Sequence, residues 1–346
     1  MKNGLERIFY ISQTHSELCM KHVLTALILG LIIVSPGLMI HHTVADQHQV
    51  QVVGTITFLT DYAKELLGTT GTYHSIIKAN QDPHFVEPSA EDLNRLESSD
   101  IILAIGNDEI DGWLLQFIKD NKDMAPKVVY VIDQQTALIE DPLIHALNPH
   151  FWMSPANAKI MVNNIAQAFI ERNIQPNLVR TNLPIYLNKL DKLISDISTL
   201  ASTLNSTKVV EDHPAFFYLS MMLNLTRVGT LEEHEGIDPS PLHVQQLSDL
   251  MKSENVKLIL ASKIQAGSDV QELARMTGAK VAYLYVLPGN PDAETYLSMI
   301  YYDLNIIQNP ESIAPANSAP IPFIPIFLSL ILMVFISRRR KIRIFS

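Results

Sequence analysis

Between residues 50 and 308, short apolar runs alternate with amphipathic segments. Val50–Phe58 is rich in β-branched side chains and reads as a buried strand, continued by a helix over Asp61–Leu67. Asp100–Ile105, Val128–Ile132, the Val209-Val210 pair, Val256–Ala261 and Ala279–Tyr285 read as further strands. Helical spacing of apolar positions covers Ser89–Ser98, Glu109–Asp120, Ala156–Glu171, Ala215–Leu223, Leu242–Glu254, Asp269–Thr277 and Tyr296–Gln308. Ser154 is a suitable N-cap, with Pro155 at the first helical position. Leu187, Leu190, Leu193, Ile194, Ile197, Leu200 and Leu204 make one apolar stripe. Leu187–Leu204 is therefore a long helix, reaching back toward Leu178 if Pro184 permits. Strands alternating with helices on both sides of it predict an α/β protein with mainly parallel sheets, arranged as lobe, helix, lobe.

The longest apolar runs sit at the two ends. Lys21-His22, the run Val23–Val34, the break at Ser35-Pro36-Gly37 and the small residues Thr43-Val44-Ala45 follow the pattern of a secretory signal. An uncleaved N-terminal anchor is the alternative. Ile321–Ile336, then Ser337 and the basic cluster Arg338–Arg343, match a single membrane span with its basic end inside the cell. Asn309–Pro320 is rich in Pro, Ala, Ser and Asn and reads as a tether. The expected organisation is a signal peptide (1–45), an N-terminal lobe (46–176), a linking helix (177–206), a C-terminal lobe (207–308), a tether (309–320), a transmembrane anchor (321–337) and a cytoplasmic tail (338–346). The lobes would then be exported and held at the extracytoplasmic face of the membrane.

Composition narrows the chemistry. With 47% hydrophobic residues, the chain is too apolar for disorder along its length. Its single cysteine, Cys19, excludes a disulfide scaffold and would leave with the signal if cleavage occurs near Ala45. The net charge is −10, and removing the two ends takes away eight basic side chains but only two acidic ones. Such an acidic ectodomain favours cations and argues against nucleic acid as a partner. There is no GxxxxGK[ST] loop and no GxSxG elbow. Asn205 and Asn224 open glycosylation sequons, a weak signal.

Twelve histidines remain to be explained. His84, His150 and His213 each lie in a loop that leads into a predicted helix, and His213 directly follows a strand. Ligands bind at such junctions in open α/β sheets, and imidazole suits zinc. No local motif such as HExxH supports them, so on chemistry alone each reads first as a loop histidine satisfied by backbone, with a ligand as the alternative.

The surrounding residues are more specific. Asp82-Pro83-His84, with Glu87-Pro88 and Asp92-Leu93 after it, resembles the first metal-histidine motif of zinc/manganese ABC transporter substrate-binding proteins. Asn148-Pro149-His150, with Trp152, Pro155, Asn157 and Ala158, is similar to the second, although Asn148 stands where an aspartate is usual. His213-Pro214-Ala215-Phe216 with Tyr218 is similar to the third. Ile237-Asp238-Pro239-Ser240-Pro241 resembles a further family segment, and Thr277–Lys280 and Tyr296–Met299 also fit.

The resemblance implies a metal-binding receptor of zinc type, working with a membrane permease and a separate ATPase. It implies two α/β lobes joined by one rigid helix, with the metal between them. Carried over by position, His84, His150 and His213 are metal ligands. Histidine at the third position points to Zn²⁺, with Mn²⁺ as the alternative. For the fourth ligand, Asp292 is the nearest acid after the Ala279–Tyr285 strand; Glu294, Glu87 or water are the other choices, and Asp292 is equally readable as a helix N-cap. His145 is a candidate assistant in capture, and His234 within Glu232–Glu235 a candidate cation collector. His41, His42 and His48 look like a metal-catching tail, two of which would leave with the signal. Trp152 is expected to pack beside the site. Two other functions stay open at this point, a zinc hydrolase and a surface adhesin; a catalytic role lacks an evident general base.

Overall fold

The computed structural model describes residues 49–204, 206–233 and 236–313. The expected signal peptide, membrane anchor and basic tail, most of the tether, Asn205 and His234 lie outside the described residues.

The first sheet is built around β1 (Val50–Ile56), with β2 (Gly71–Ile77) on one side and β3 (Ile101–Ala104) then β4 (Val128–Tyr130) on the other. All its pairings are parallel. Helices α1 (Thr57–Leu67), α2 (Ala90–Ser98), α3 (Asp108–Asp120) and α4 (Pro155–Glu171) belong to this lobe, as does the short hairpin of β5 (Glu140–Asp141) and β6 (Ala146–Leu147). Helix α5 (Pro176–Leu204) leads to the second lobe. The second sheet joins β7 (Lys208–Glu211), β8 (Thr226–Thr230), β9 (Leu258–Ser262), β10 (Lys280–Leu284) and β11 (Glu311–Ser312). Their order is β11-β10-β9-β7-β8, with only β11 antiparallel to its neighbour. Helices α6 (Phe217–Met222), α7 (Pro241–Ser253), α8 (Ser268–Thr277) and α9 (Tyr296–Gln308) complete it.

The expected α/β architecture with mainly parallel sheets is what the chain adopts. Central strands such as β3 and β9 are buried at every position. Burial on both faces is why they read as unbroken apolar runs. The edge strands β2 and β8 lacked such a run and were not expected. Five of the seven β2 residues are only partly buried, and its Gly-Thr-Tyr-His-Ser sequence carries no hydrophobic signature.

Helix α5 has 29 residues, a length of about 43 Å. Pro184 lies within it on the solvent face, where the carbonyl left unpaired by the missing N–H meets water. Its buried stripe is Val179, Tyr186, Leu190, Leu193, Ile197 and Ala201.

One hydrophobic core runs through both lobes. Phe58 stacks on Trp152 with ring centroids 5.3 Å apart, and Tyr62 meets Tyr296 edge-on at 5.3 Å and Tyr186 of α5 at 6.2 Å. Hydrogen bonds sew the same seam. Trp152 Nε1–H donates to the Val286 carbonyl at 2.9 Å, and the Tyr296 hydroxyl donates to the Trp152 carbonyl at 2.7 Å. The loops before α4 are thereby held against the C-terminal lobe.

Candidate metal centre

Three short turns deliver three histidines. His84 sits in a turn of 3₁₀ helix, Pro83–Phe85, whose N-cap Asp82 accepts from the His84 N–H at 2.9 Å. His150 opens the turn Phe151–Met153, directly before Ser154 caps α4. His213 follows β7 and opens the turn Pro214–Phe216. Strands β8 and β9 lie on opposite sides of β7, so His213 stands where the strand order reverses, the usual ligand position in open sheets. In each turn a proline fixes φ beside or near the histidine.

The Nε2 atoms of the three rings converge. His84 Nε2 lies 3.3 Å from His150 Nε2, which lies 3.1 Å from His213 Nε2. Nitrogens at two tetrahedral corners around zinc, each about 2.05 Å from it, are about 3.3 Å apart. The spacing thus fits the corners of a zinc tetrahedron. Among the described residues, this is the only group of three or more His, Cys, Asp or Glu side chains placed to hold a metal ion.

Burial disfavours the charged form of His84 and His150. His150 is 1% exposed and His213 6%. Burial first, then the neighbouring His213, pushes His84 down to about 4; burial and the two other rings hold His150 well below its usual value. Neutral imidazole is the form that ligates metal.

Two partners set the ring tautomers. Glu232 Oε2 lies 2.5 Å from His213 Nδ1, and Asn148 Oδ1 accepts from the His150 backbone N–H at 2.9 Å and faces His150 Nδ1 at 3.3 Å. An acceptor on Nδ1 places the proton there and leaves the Nε2 lone pair for a metal. Sequence reasoning placed Glu232 in an acidic loop and missed this role; its position before His234 carries no local signal that it reaches back to His213.

Asp292 is not brought to the histidines. Its carboxylate accepts from Lys263 Nζ at 3.2 Å and its side chain is 59% exposed. It is not the N-cap of α9 either; Thr295 is, through a capping box with Ser298. Lys263, held over the rings of Tyr285 and Tyr302, draws Asp292 outward. Glu87, Glu294 and His145 are exposed and outside the cluster. Trp152 packs as expected, 5.2 Å from the His150 ring. A cavity of about 490 Å³ opens beside His84, lined also by Phe85, Leu147, Pro149, Glu232 and Glu233. Its carboxylates favour an approaching cation.

The profile of one protein family, described as "ZnuA: Zinc-uptake complex component A periplasmic", matches residues 52–309. The chain belongs to the ZnuA family. Relatives of this ZnuA-family chain include the iron-binding protein YfeA of Yersinia pestis, 26% identical over 267 residues, covering 74% of this chain and 85% of that protein. The zinc-binding protein AdcA of Streptococcus pyogenes is 23% identical over 287 residues, 75% of this chain but 54% of AdcA, so the chain spans about half of AdcA's length. The manganese ABC transporter substrate-binding lipoprotein PsaA of Streptococcus pneumoniae is 24% identical over 302 residues, 82% of this chain and 94% of PsaA. A crystal structure of ZnuA superimposes with a TM-score of 0.65 at 22% identity, covering 75% of this chain and 98% of that one. A manganese-bound periplasmic metal-binding protein from Candidatus Liberibacter asiaticus gives 0.63 at 20% identity, with 75% and 98% covered. These likenesses bear on the fold.

Proposed function

We propose that this chain is an extracytoplasmic receptor that captures zinc as cargo through His84, His150 and His213 and delivers it to the permease of an ABC transporter, driven by a separate ATPase. The carrying observation is the convergence of three Nε2 atoms at separations suited to tetrahedral zinc. A nitrogen-only set favours zinc over manganese, which takes more oxygen. Manganese is the second reading, supported by PsaA, a relative named for that metal. The relatives named above are binding and transport proteins, which lends no support to a hydrolase or an adhesin. Against a hydrolase, the Glu232 carboxylate beside the site is engaged with His213 Nδ1.

In this reading residues 1–45 direct export, 46–176 and 207–308 are the capture lobes, 177–206 link them, 309–320 tether them, and 321–337 anchor them with 338–346 inside. The anchor is argued from sequence alone; among the described residues no helix is long and apolar enough to cross a membrane. Metal analysis of the purified protein, with competitive titration by Zn²⁺ and Mn²⁺, tests the function. One tightly held zinc per chain, with manganese displaced by it, is the expected result. No stoichiometric metal and no measurable zinc affinity would overturn it.

A further inference from the structure

Asn148 is 1% exposed, and its side chain uses every hydrogen-bonding position it has. Nδ2 donates to Asp141 Oδ2 at 3.0 Å and to the Pro214 carbonyl at 2.8 Å. Oδ1 accepts from the His150 backbone N–H and faces the ring at Nδ1. The Pro214 carbonyl only accepts and the His150 backbone N–H only donates, so the amide has a single orientation. Oδ1 has no hydrogen to give. A neutral His150 therefore carries its proton on Nδ1, and its Nε2 lone pair faces His84 and His213.

A carboxylate at this position would fix the same tautomer, but the neighbours oppose one. Asp141 and Glu211 are both fully buried. Arg227 Nη1 reaches Asp141 Oδ1 at 2.9 Å, Arg227 Nε reaches Glu211 Oε1 at 2.8 Å, and the guanidinium lies 4.9 Å from the Phe217 ring centroid. One guanidinium already faces two buried carboxylates, and burial raises Glu211 from 4.5 to about 7, so the group does not fully offset the charge it has. A third beside Asp141 would add an unpaired buried charge and leave Pro214 without its donor.

The choice has a chemical consequence at the metal. A carboxylate on the outer nitrogen of a ligating histidine raises its basicity more than a neutral acceptor does. His213 has such a carboxylate in Glu232; His150 has an amide. Resting on the reading of these histidines as ligands, we propose that Asn148 is the positioning residue that limits how tightly the site holds its metal, its neutrality imposed by the buried Asp141–Arg227–Glu211 group. The site pairs one strengthened imidazole with one moderated imidazole, which suits cargo that must later be released.

The test is an exchange. Asp141→Asn combined with Asn148→Asp conserves net charge and puts the carboxylate on His150. The full-length protein is titrated with zinc against a chelator, and zinc release is timed. The exchanged variant is expected to bind about 10-fold tighter and release correspondingly more slowly, while Asn148→Ala binds about 10- to 100-fold more weakly. An exchanged variant that folds and binds no tighter than wild type overturns the proposal. Wild type that fails to bind zinc overturns the receptor reading instead, so the two failures are distinct. Nitrogen NMR of His150 in zinc-free wild type checks the premise without any variant: a proton on Nδ1 is expected, and one on Nε2 overturns the proposal.

Discussion

His150 Nε2 and His213 Nε2 lie 3.1 Å apart although 63 positions separate the residues and each comes from a different lobe. The site exists only because the two lobes are packed together. Replacing His84, His150 or His213 singly by alanine should weaken zinc binding by more than the about 100-fold that loss of an outer partner causes. Chelator competition measures this, and far-UV circular dichroism should show the lobes intact. Asp292→Ala should leave affinity unchanged, since Lys263 already holds that carboxylate. Wild-type affinity in all three histidine variants would refute the ligand assignment.

Glu232 should matter through His213 and not as a ligand of its own. Glu232→Gln retains an acceptor for Nδ1 and removes the charge, so a loss of about 10-fold in zinc affinity is expected; Glu232→Ala should lose nearer 100-fold. Equal affinities in wild type and the alanine variant would show that the 2.5 Å contact does not tune the metal site.

Asp61 gives a pH dependence unrelated to metal. Its carboxylate accepts from the Tyr296 N–H at 2.9 Å, and burial raises its pKa from 3.8 to about 6. The folded chain therefore holds this proton more tightly than the unfolded chain. Below about pH 4 both states are protonated and Asp61 costs nothing; stability falls as pH rises toward 6, and above that the cost is at most about 3 kcal/mol. Asp61→Asn removes the charged form. Chemical denaturation should find the variant more stable than wild type at pH 8 and close to it at pH 4. A variant less stable at pH 8 would show the ionised carboxylate to be favourable.

The proposed topology is open to a direct assay. Protease added to intact cells should remove the lobes and spare the basic tail. Truncation after Pro320 should release a soluble protein that still binds zinc but supports uptake poorly. Lobes cleaved only after lysis would place the protein inside the cell and end the receptor reading.

The elements most legible in the sequence were those whose burial is complete. Strands β3 and β9 announce themselves because both faces are covered. Edge strands β2 and β8 mix polar and apolar positions and do not. The three histidines were found through the wording of their turns, since no spacing rule links residues so far apart. Long-range polar partners left no such trace. Arg227 meets Asp141 across 86 positions, and Lys263 takes Asp292 across 29, so neither the buried ion group nor the diversion of the expected fourth ligand was visible.

Phe58, Tyr62, Trp152, Tyr186 and Tyr296 form a single dry seam through both lobes. Parting it would wet up to about 150–250 Å² per ring, at roughly 25 cal/mol per Å², which amounts to many kcal/mol. A clamshell that opens and shuts is therefore the wrong picture. The seam should hold the protein as a socket of fixed outline, so loaded and empty copies are expected to present nearly the same silhouette. A membrane partner that admits one and ignores the other must read the few charged and apolar side chains around the mouth, not the angle of a jaw.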